Sequence, residues 1–380
     1  MLRVAVVLIL GLVGFGVGAK AQTSQLKTQV PSEGRKNSDW NGRWKFSLAG
    51  QDYDDQKTTS TLVNFRFEAM IRYYLSEDLL FKVTPMARLQ SGTTQSSRGE
   101  LSPENRIYFN EASATWRALS FAFLKAGALD QGESHTPLLV GSRPFPGARA
   151  SLLFGDRTIR YGLVAETAIP TAVSLTTNQN EKEPTPTLSS AGLRFDWTDG
   201  DLWKFSAKAG AFEYKNLSTS IASSSFLLGN EVDAVSDTEF RFNKPYKGFE
   251  AMMKFEFPLF GSLDGSLHGE VVQNTSAPAK ENLAWRAGGG LSMQWNSRLS
   301  LLLQGESFRI EPDAAVASFV DTGFSGTNRN GYRVESGIIF GKTRSKVLAG
   351  FSESNLIYVN DRQSRDRFVQ IKLETGYADF

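Results

Sequence analysis

The clearest pattern in this chain is a strict alternation of apolar and polar residues. Between residues 63 and 75 the odd positions are apolar, as at Val63 and Phe65, whereas Arg66 and Glu68 lie among the even ones. A period of two over such a stretch predicts a β-strand with one apolar and one polar face. The alternation restarts at residue 79, after the turn sequence 76–78. The two strands are therefore predicted to form a hairpin.

The same alternation recurs along most of the chain. It predicts about sixteen strands, many of them longer than the ~5–6 residues usual in soluble sheets. They are expected at residues 43–49, 61–75, 79–90, 105–117, 120–131, 157–169, 171–178, 187–198, 201–215, 246–259, 262–274, 283–295, 298–310, 330–341, 345–357 and 366–377.

The predicted connections fall into two classes that alternate along the chain. Short ones, such as 76–78 and a corner at Pro170, alternate with long ones, such as 50–60 and 132–156. Short turns on one rim and long loops on the other are typical of a transmembrane β-barrel with periplasmic turns. The predicted fold is all-β, an antiparallel transmembrane barrel over residues 43–380. The alternative, a soluble β-sandwich, is disfavoured by strand length and by aromatic residues near the strand ends.

The first residues have the features of an export signal. Arg3 supplies a positive charge, an apolar stretch follows, and Ala19-Lys20-Ala21 matches a small-residue cleavage site. Residues 1–21 are therefore predicted to be a signal peptide cut after Ala21, and 22–42 a polar periplasmic lead. The expected location of the barrel is the outer membrane.

The last residue is aromatic, as is usual for an outer-membrane barrel. The apolar series of the last strand includes Leu373 and Tyr377, however, and Phe380 is one position out of phase with it. Two explanations are open: a bulge near Gly376 that redirects the last residues, or a tail that extends beyond the sheet.

Composition excludes several functions. The chain has no cysteine, which removes disulfides, thiol chemistry and cysteine-rich zinc sites. Its 42 basic and 40 acidic residues balance once Arg3 and Lys20 leave with the signal, so a nucleic-acid partner is not expected. With only His135 and His268 and no nucleophile motif, the sequence predicts neither an enzyme nor a cofactor.

The predicted inner face carries many charges. A barrel of about sixteen strands is too wide for side chains to fill, so an aqueous channel is expected. Basic inward positions outnumber acidic ones, which suggests a weak anion preference. The connection 132–156 is too apolar for a solvated tip, and it is expected to fold inward and narrow the channel. Its candidate constriction residues are Glu133, His135, Arg143 and Arg149.

The chain resembles the general bacterial porins. The shared features are the signal peptide, the number of strands, the lengths of the turns, the long third loop and the terminal phenylalanine. The resemblance implies a third loop inside the barrel, a homotrimer, and contacts with outer-membrane lipid and small hydrophilic solutes. It also implies a basic wall that faces acidic residues of the loop. By topology the basic wall would be Arg43, Arg66, Arg72, Lys82 and Arg88, and the acids would include Asp130 and Glu133.

Three other functions remain open at this point. The segment from Asn110 to Gly127 is similar to porins specific for phosphate or polysaccharide, so a substrate-specific channel for phosphate, a sugar or an oligosaccharide is one alternative. An outer-membrane enzyme and a barrel that binds partners through its surface loops are the others. Stepwise ion currents would separate an open channel from the last two.

Overall fold

The protein is described by a computed structural model. The described residues are 40–55, 57–96, 103–171, 183–200, 202–236, 239–341 and 343–380. The predicted signal peptide 1–21 and nearly all of the predicted lead 22–42 lie outside them.

A closed antiparallel sheet forms the body of the molecule. Strands that are neighbours in the chain pair with each other, except where a separate small hairpin intervenes, and the first strand pairs with both the second and the last. The strands are β1 Trp40–Asp55, β2 Thr58–Tyr74, β3 Leu79–Ser96, β4 Arg106–Leu119, β5 Ala122–Asp130, β6 Pro144–Gly155, β7 Ile159–Ala168, β8 Thr187–Asp199, β9 Trp203–Lys215, β10 Val232–Ala234, β11 Phe240–Phe242, β12 Tyr246–Phe260, β13 Leu263–Asn274, β14 Leu283–Asn296, β15 Leu299–Ile310, β16 Arg329–Phe340, β17 Ser345–Leu356, β18 Asp366–Glu374 and β19 Ala378–Asp379.

Because β19 continues β18 along the same edge of β1, the barrel has sixteen strands. The predicted sixteen-stranded antiparallel barrel is confirmed. One α-helix, α1 Thr219–Leu227, lies in the loop between β9 and β12. Among the described residues, no helix is long and apolar enough to span a membrane.

The alternation of the sequence sets which face of the barrel each side chain occupies. Phe65, Leu163 and Leu303 point outward, and each is at least 37% exposed. The polar residues between them point inward, since strand side chains alternate between the two faces. An exposed belt of large apolar side chains of this extent is suited to lipid.

Aromatic residues cluster at the rim of the short turns. Trp203 stacks on Phe257 with ring centroids 6.1 Å apart, and Phe121 stacks on Phe154 at 5.3 Å. Girdles of aromatic side chains at the ends of the strands are typical of barrels that cross a membrane.

The terminal segment closes the barrel through a one-residue bulge. Ser47 pairs with Glu374 and Trp44 with Ala378, so three steps along β1 match four steps along the last strand. The bulge brings the Phe380 ring outward, where it lies 5.7 Å from Trp40. Of the two explanations for the phase of Phe380, the bulge is confirmed.

The sequence reading was wrong around the third long loop. Residues 144–155 form β6, although they were predicted as part of the loop 132–156. Two prolines and an apolar inward residue, Phe145, hide the alternation of this strand, and Phe145 is fully buried against the loops. The third loop is therefore 131–143, and Arg149 belongs to the wall.

Three other sequence expectations also differ from the structure or lie outside it. Pro170 lies in the connection 169–186, on the long-loop rim, and is not part of a short turn. The predicted strand 171–178 lies outside the described residues except for Thr171, which is not in a strand. The predicted loop 50–60 is mostly strand, since β1 and β2 are joined at 56–57.

Candidate pore constriction

The third loop, 131–143, leaves the rim and bonds to the seventh loop, 311–328. The Gly141 amide donates to the carbonyl of Phe319 at 2.8 Å, and the Asp321 amide donates to the carbonyl of Pro137 at 2.9 Å. Arg143 Nη1 donates to the Ser318 carbonyl at 2.8 Å. Two loops that are far apart in sequence are thus joined by main-chain bonds.

The contact between these loops is an apolar cluster, here called the loop core. Leu138, Leu139 and Val140 of the third loop are fully buried in it. This burial explains why the loop is more apolar than a solvated tip. The other members are Phe145, Ala168, Leu188, Phe212, Tyr214, Ile221, Tyr246, Val272, Ala284, Phe308, Ile310, Ala314, Ala315, Val316, Phe319, Val320 and Phe324.

The loop core occupies one side of the barrel mouth. Its strand members lie at the loop-side ends of β6–β9 and β12–β15. Within the part of the chain that the structure describes, it has no member from β1–β5 or from β16–β18. The mouth is therefore filled by packed loop on one side, and the wall β1–β4 remains uncovered by this cluster.

Glu133 fixes the third loop to the inner wall. Its carboxylate contacts Lys82 at 2.9 Å, Lys125 at 2.6 Å and Arg149 at 3.1 Å. Burial raises the pKa of Glu133, but the ammonium groups of Lys125 and Lys82 outweigh that effect and hold the pKa well below its usual range. The buried carboxylate of Glu111 pairs with the same two lysines.

Two further carboxylates of the wall hold neighbouring parts of this loop. Glu166 accepts hydrogen bonds from Arg149 Nε at 2.6 Å and from Gln131 Nε2 at 2.7 Å. Glu250, on β12, bonds to His135 Nδ1 and accepts the Thr136 amide at 2.9 Å. Lys208 of β9 donates to the Glu133 carbonyl. The loop is thus attached to β3, β5, β6, β7, β9 and β12.

A separate ionic cluster joins the fifth loop, 216–245, the sixth loop, 275–282, and the seventh loop, 311–328. Lys244 Nζ lies 3.1 Å from Glu231, 2.7 Å from Glu281 and 2.8 Å from Asp313. The three carboxylates lie within 4.8 Å of one another, a spacing that could hold a metal ion. In this structure the Lys244 ammonium supplies the positive charge, and the carboxylates outweigh burial and raise its pKa.

The predicted basic wall separates into two groups. Lys82 belongs to the Glu133 cluster, whereas Arg43, Arg66, Arg72 and Arg88 form an inward-facing set on β1–β3, here called the arginine track. In the strand register Arg66 lies directly opposite Arg88, and Arg72 directly opposite Lys82.

The structure brings together Lys82, Glu133 and Arg149 from the predicted set. The Asp130 carbonyl accepts a hydrogen bond from Arg149 Nη2 at 3.2 Å, but its carboxylate accepts hydrogen bonds from Asn110 at 2.9 Å and from Ser142 at 3.0 Å. His135 and Arg143 bond to Glu250 and to the seventh loop. The residues that sequence reasoning did not assign to the site are Glu111, Lys125, Glu166, Lys208 and Glu250, and their inward strand parity is the signal that could have found them.

No family model and no curated protein sequence matches this chain. Among solved structures it is similar to OprB of Pseudomonas putida, with 10% identity and a TM-score of 0.56, over 90% of this chain and 94% of that chain. It is also similar to an OmpT of Vibrio cholerae that lacks loop L8, described as an outer membrane protein. There the identity is 11% and the TM-score 0.51, over 90% of this chain and 100% of that chain. The likeness to these two structures confirms, at the level of the fold, the porin-like barrel that the sequence pattern predicted.

Proposed function

We propose that the protein is an outer-membrane channel through which ions and small hydrophilic solutes diffuse passively. The observation that carries this proposal is a closed sixteen-stranded barrel whose outer face is apolar and whose inner face is charged. A barrel of this size is too wide for wall side chains to fill, so its interior holds water. Hydrated charges avoid the cost of burial in an apolar medium.

In this proposal the third loop forms the constriction. The loop core narrows the mouth from the side of β6–β15, and Glu133 keeps the loop against the wall. The candidate lining of the remaining passage includes the arginine track together with Lys82, Asp130, Glu133 and Arg143. The predicted constriction residues His135 and Arg149 are buried, and they hold the loop to the wall.

The proposal includes the location and the partners. The apolar belt would contact outer-membrane lipid, and residues 1–21 would direct export and be removed after Ala21. A homotrimer is proposed from the resemblance to porins.

An enzyme is the less favoured alternative. His135 is bonded to Glu250, and His268 lies 3.1 Å from Glu306. A nucleophile system needs a histidine beside a hydroxyl or thiol. A carboxylate partner is compatible with such a system, but among the described residues no hydroxyl is bonded to either histidine.

Planar-bilayer recording of the refolded protein tests the channel. We expect stepwise currents that grow with electrolyte concentration. A correctly folded barrel that never conducts would refute the proposal and favour a barrel acting through its surface loops. Urea-treated protein from the same preparation is the control for leak.

A further inference from the structure

The third loop is supported in two different ways along its length. Residues 131–136 are held by ion pairs and hydrogen bonds to the inner wall. The segment 137–141 bonds instead to the seventh loop, through the Pro137 carbonyl and the Gly141 amide. The three side chains between these two bonds are apolar and fully buried in the loop core. The position of 137–141 therefore depends on the seventh loop.

The fifth loop fixes the course of the seventh loop through one buried side chain. Asn230 is fully buried, and its Nδ2 donates to the carbonyls of Pro312 at 2.5 Å and Ala315 at 2.9 Å. The Ala317 amide donates to Asn230 Oδ1 at 2.7 Å. These bonds use both the donor and the acceptor group of the side-chain amide. A change in the course of 312–317 would leave buried polar groups unpaired, which costs free energy.

Lys244 holds the same stretch of the seventh loop through Asp313. The Asp313 carboxylate is fully buried and also accepts hydrogen bonds from the Tyr246 hydroxyl at 3.0 Å and the Glu231 amide at 3.1 Å. Among the described residues, the Lys244 ammonium is the only cation paired with Glu231, Glu281 and Asp313. Without it, three carboxylates within 4.8 Å of one another would repel each other. The ammonium therefore keeps the fifth, sixth and seventh loops together.

The seventh loop connects these contacts to the third loop. The Phe319 amide donates to the Val316 carbonyl at 2.9 Å, so residues 312–317 continue as a bonded turn into the residues that hold the third loop. In the part of the chain that the structure describes, neither the Asn230 nor the Lys244 side chain bonds to the third loop. An effect of these two side chains on the third loop is therefore expected to pass through the seventh.

We propose that Asn230 and Lys244, here called the loop lock, set the position of the third loop by holding the seventh loop in place. Both are positioning residues, since they act on the constriction through another loop. With the lock intact, residues 137–141 have a fixed partner. When the lock opens, that segment loses its partner, while the contacts of 131–136 with the wall remain. Packed elements with discrete arrangements can couple distant sites in this way.

Amide hydrogen exchange in the folded protein tests this coupling, because local opening of a loop exposes its amides to solvent. K244Q removes the ammonium of the lock, and N230A removes three hydrogen bonds without a change of charge. The matched control is K280Q, in the sixth loop, which removes the same charge as K244Q from an exposed side chain. Two variants that disrupt the lock by different means keep the test decisive if one of them folds poorly.

The reporters are the amides of Leu139 and Val140, which donate to the Thr136 carbonyl at 2.9 and 3.0 Å. We expect both amides to exchange at least about tenfold faster in K244Q and in N230A. That is the scale expected for the loss of one hydrogen bond to a charged group or of several neutral ones. Exchange in K280Q should equal that of the wild type.

Three results would overturn the inference. Wild-type exchange of both reporters in K244Q and N230A would show that the seventh loop does not transmit the change. Equal acceleration in K280Q would make it an effect of net charge. Equal acceleration at the paired amides of β2 and β3 would show that the whole barrel had loosened.

Ion current measures the consequence for the passage, and this step rests on the proposed channel function. In planar bilayers the wild type and K280Q should give steady open levels. K244Q and N230A should add brief partial closures, because residues 137–141 then move in the passage. An unchanged current in a variant whose third loop exchanges faster would overturn the role of the lock in the constriction. If none of these proteins conducts, the channel is refuted, and the exchange data by themselves decide the coupling between the loops.

Discussion

Replacing Glu133 by glutamine is the sharpest test of how the third loop is held. The variant keeps the shape of the side chain and removes the charge that Lys82, Lys125 and Arg149 share. The barrel strands do not depend on this contact. The expected effect is therefore local opening of residues 131–143, with little change in the global unfolding of the barrel.

The free-energy cost of E133Q depends on which carboxylates the three cations still contact. Lys82 and Lys125 keep Glu111, and Arg149 keeps Glu166. The cost is therefore smaller than the ~3–5 kcal/mol of leaving a buried charge with no partner. It lies near the about 1–3 kcal/mol of a lost charge-assisted hydrogen bond. Since about 1.4 kcal/mol is a factor of ten, opening should become roughly 5- to 140-fold more frequent.

Amide hydrogen exchange followed by mass spectrometry measures this opening. The reporters are protected amides of the loop, such as His135, which donates to Gln131 at 2.9 Å, and Gly141, which donates to Phe319 at 2.8 Å. The matched control is E77Q, in the exposed turn between β2 and β3. Wild-type exchange of 131–143 in E133Q would refute the anchoring role of Glu133. Equal acceleration in E77Q would show that the effect is one of net charge.

Three further outcomes are expected. First, the pKa of Glu133 is depressed in the fold, so its carboxylate stabilises the folded position of the third loop fully above the usual glutamate pKa of about 4.3. This stabilisation is lost only as the pH falls through the lower pKa of the folded state. Third-loop exchange, corrected for intrinsic rates, should therefore stay constant from pH 7 to about 5 and rise in more acidic buffer; a rise near pH 6 would contradict this. Second, F319A should cost the loop core about 3–5 kcal/mol, because the ring is fully buried and packs edge-on against Phe145 at 5.3 Å. Unchanged single-channel conductance and unchanged exchange in 311–328 would show that the core does not hold the mouth. Third, a Cβ on Gly42 would overlap the ring of the terminal residue, whereas one on Gly50 of the same strand meets nothing within 4 Å. Since that ring belongs to the exposed last residue and can shift, G42V should destabilise the barrel by about 1 kcal/mol, the lower end of the cost of overpacking, and so lower its thermal unfolding temperature. G50V should leave that temperature unchanged; equal melting of the two would refute the contact.

The local periodicity of the sequence determined most of the barrel. Strand side chains alternate between two environments, water and lipid, and this alternation can be read along the chain without knowledge of distant contacts. It identified the hairpin of β2 and β3 and the inward direction of Arg66, Arg72, Lys82 and Arg88. It failed at β6, because Phe145 points inward into packed loop, where an apolar residue is favoured.

In the candidate site, too, part was predictable from the sequence and part was not. The alternation along each strand predicts which charged residues face inward. The partners of each charge depend on loops from distant parts of the chain. Glu133 meets Lys82 across 51 positions, and His135 meets Glu250 across 115. The sequence could not show that these contacts neutralise Glu111 and Glu133 beside the third loop.

What the sequence determined by itself is therefore the barrel and the face of most strand residues. What only the tertiary structure decided is how the third and seventh loops pack together and which charges remain open to a solute. The physical reason is that alternation is a local property, enforced by the solvent on each face. Ion pairing and loop packing depend on distances between segments, and the closure of the sheet sets those distances.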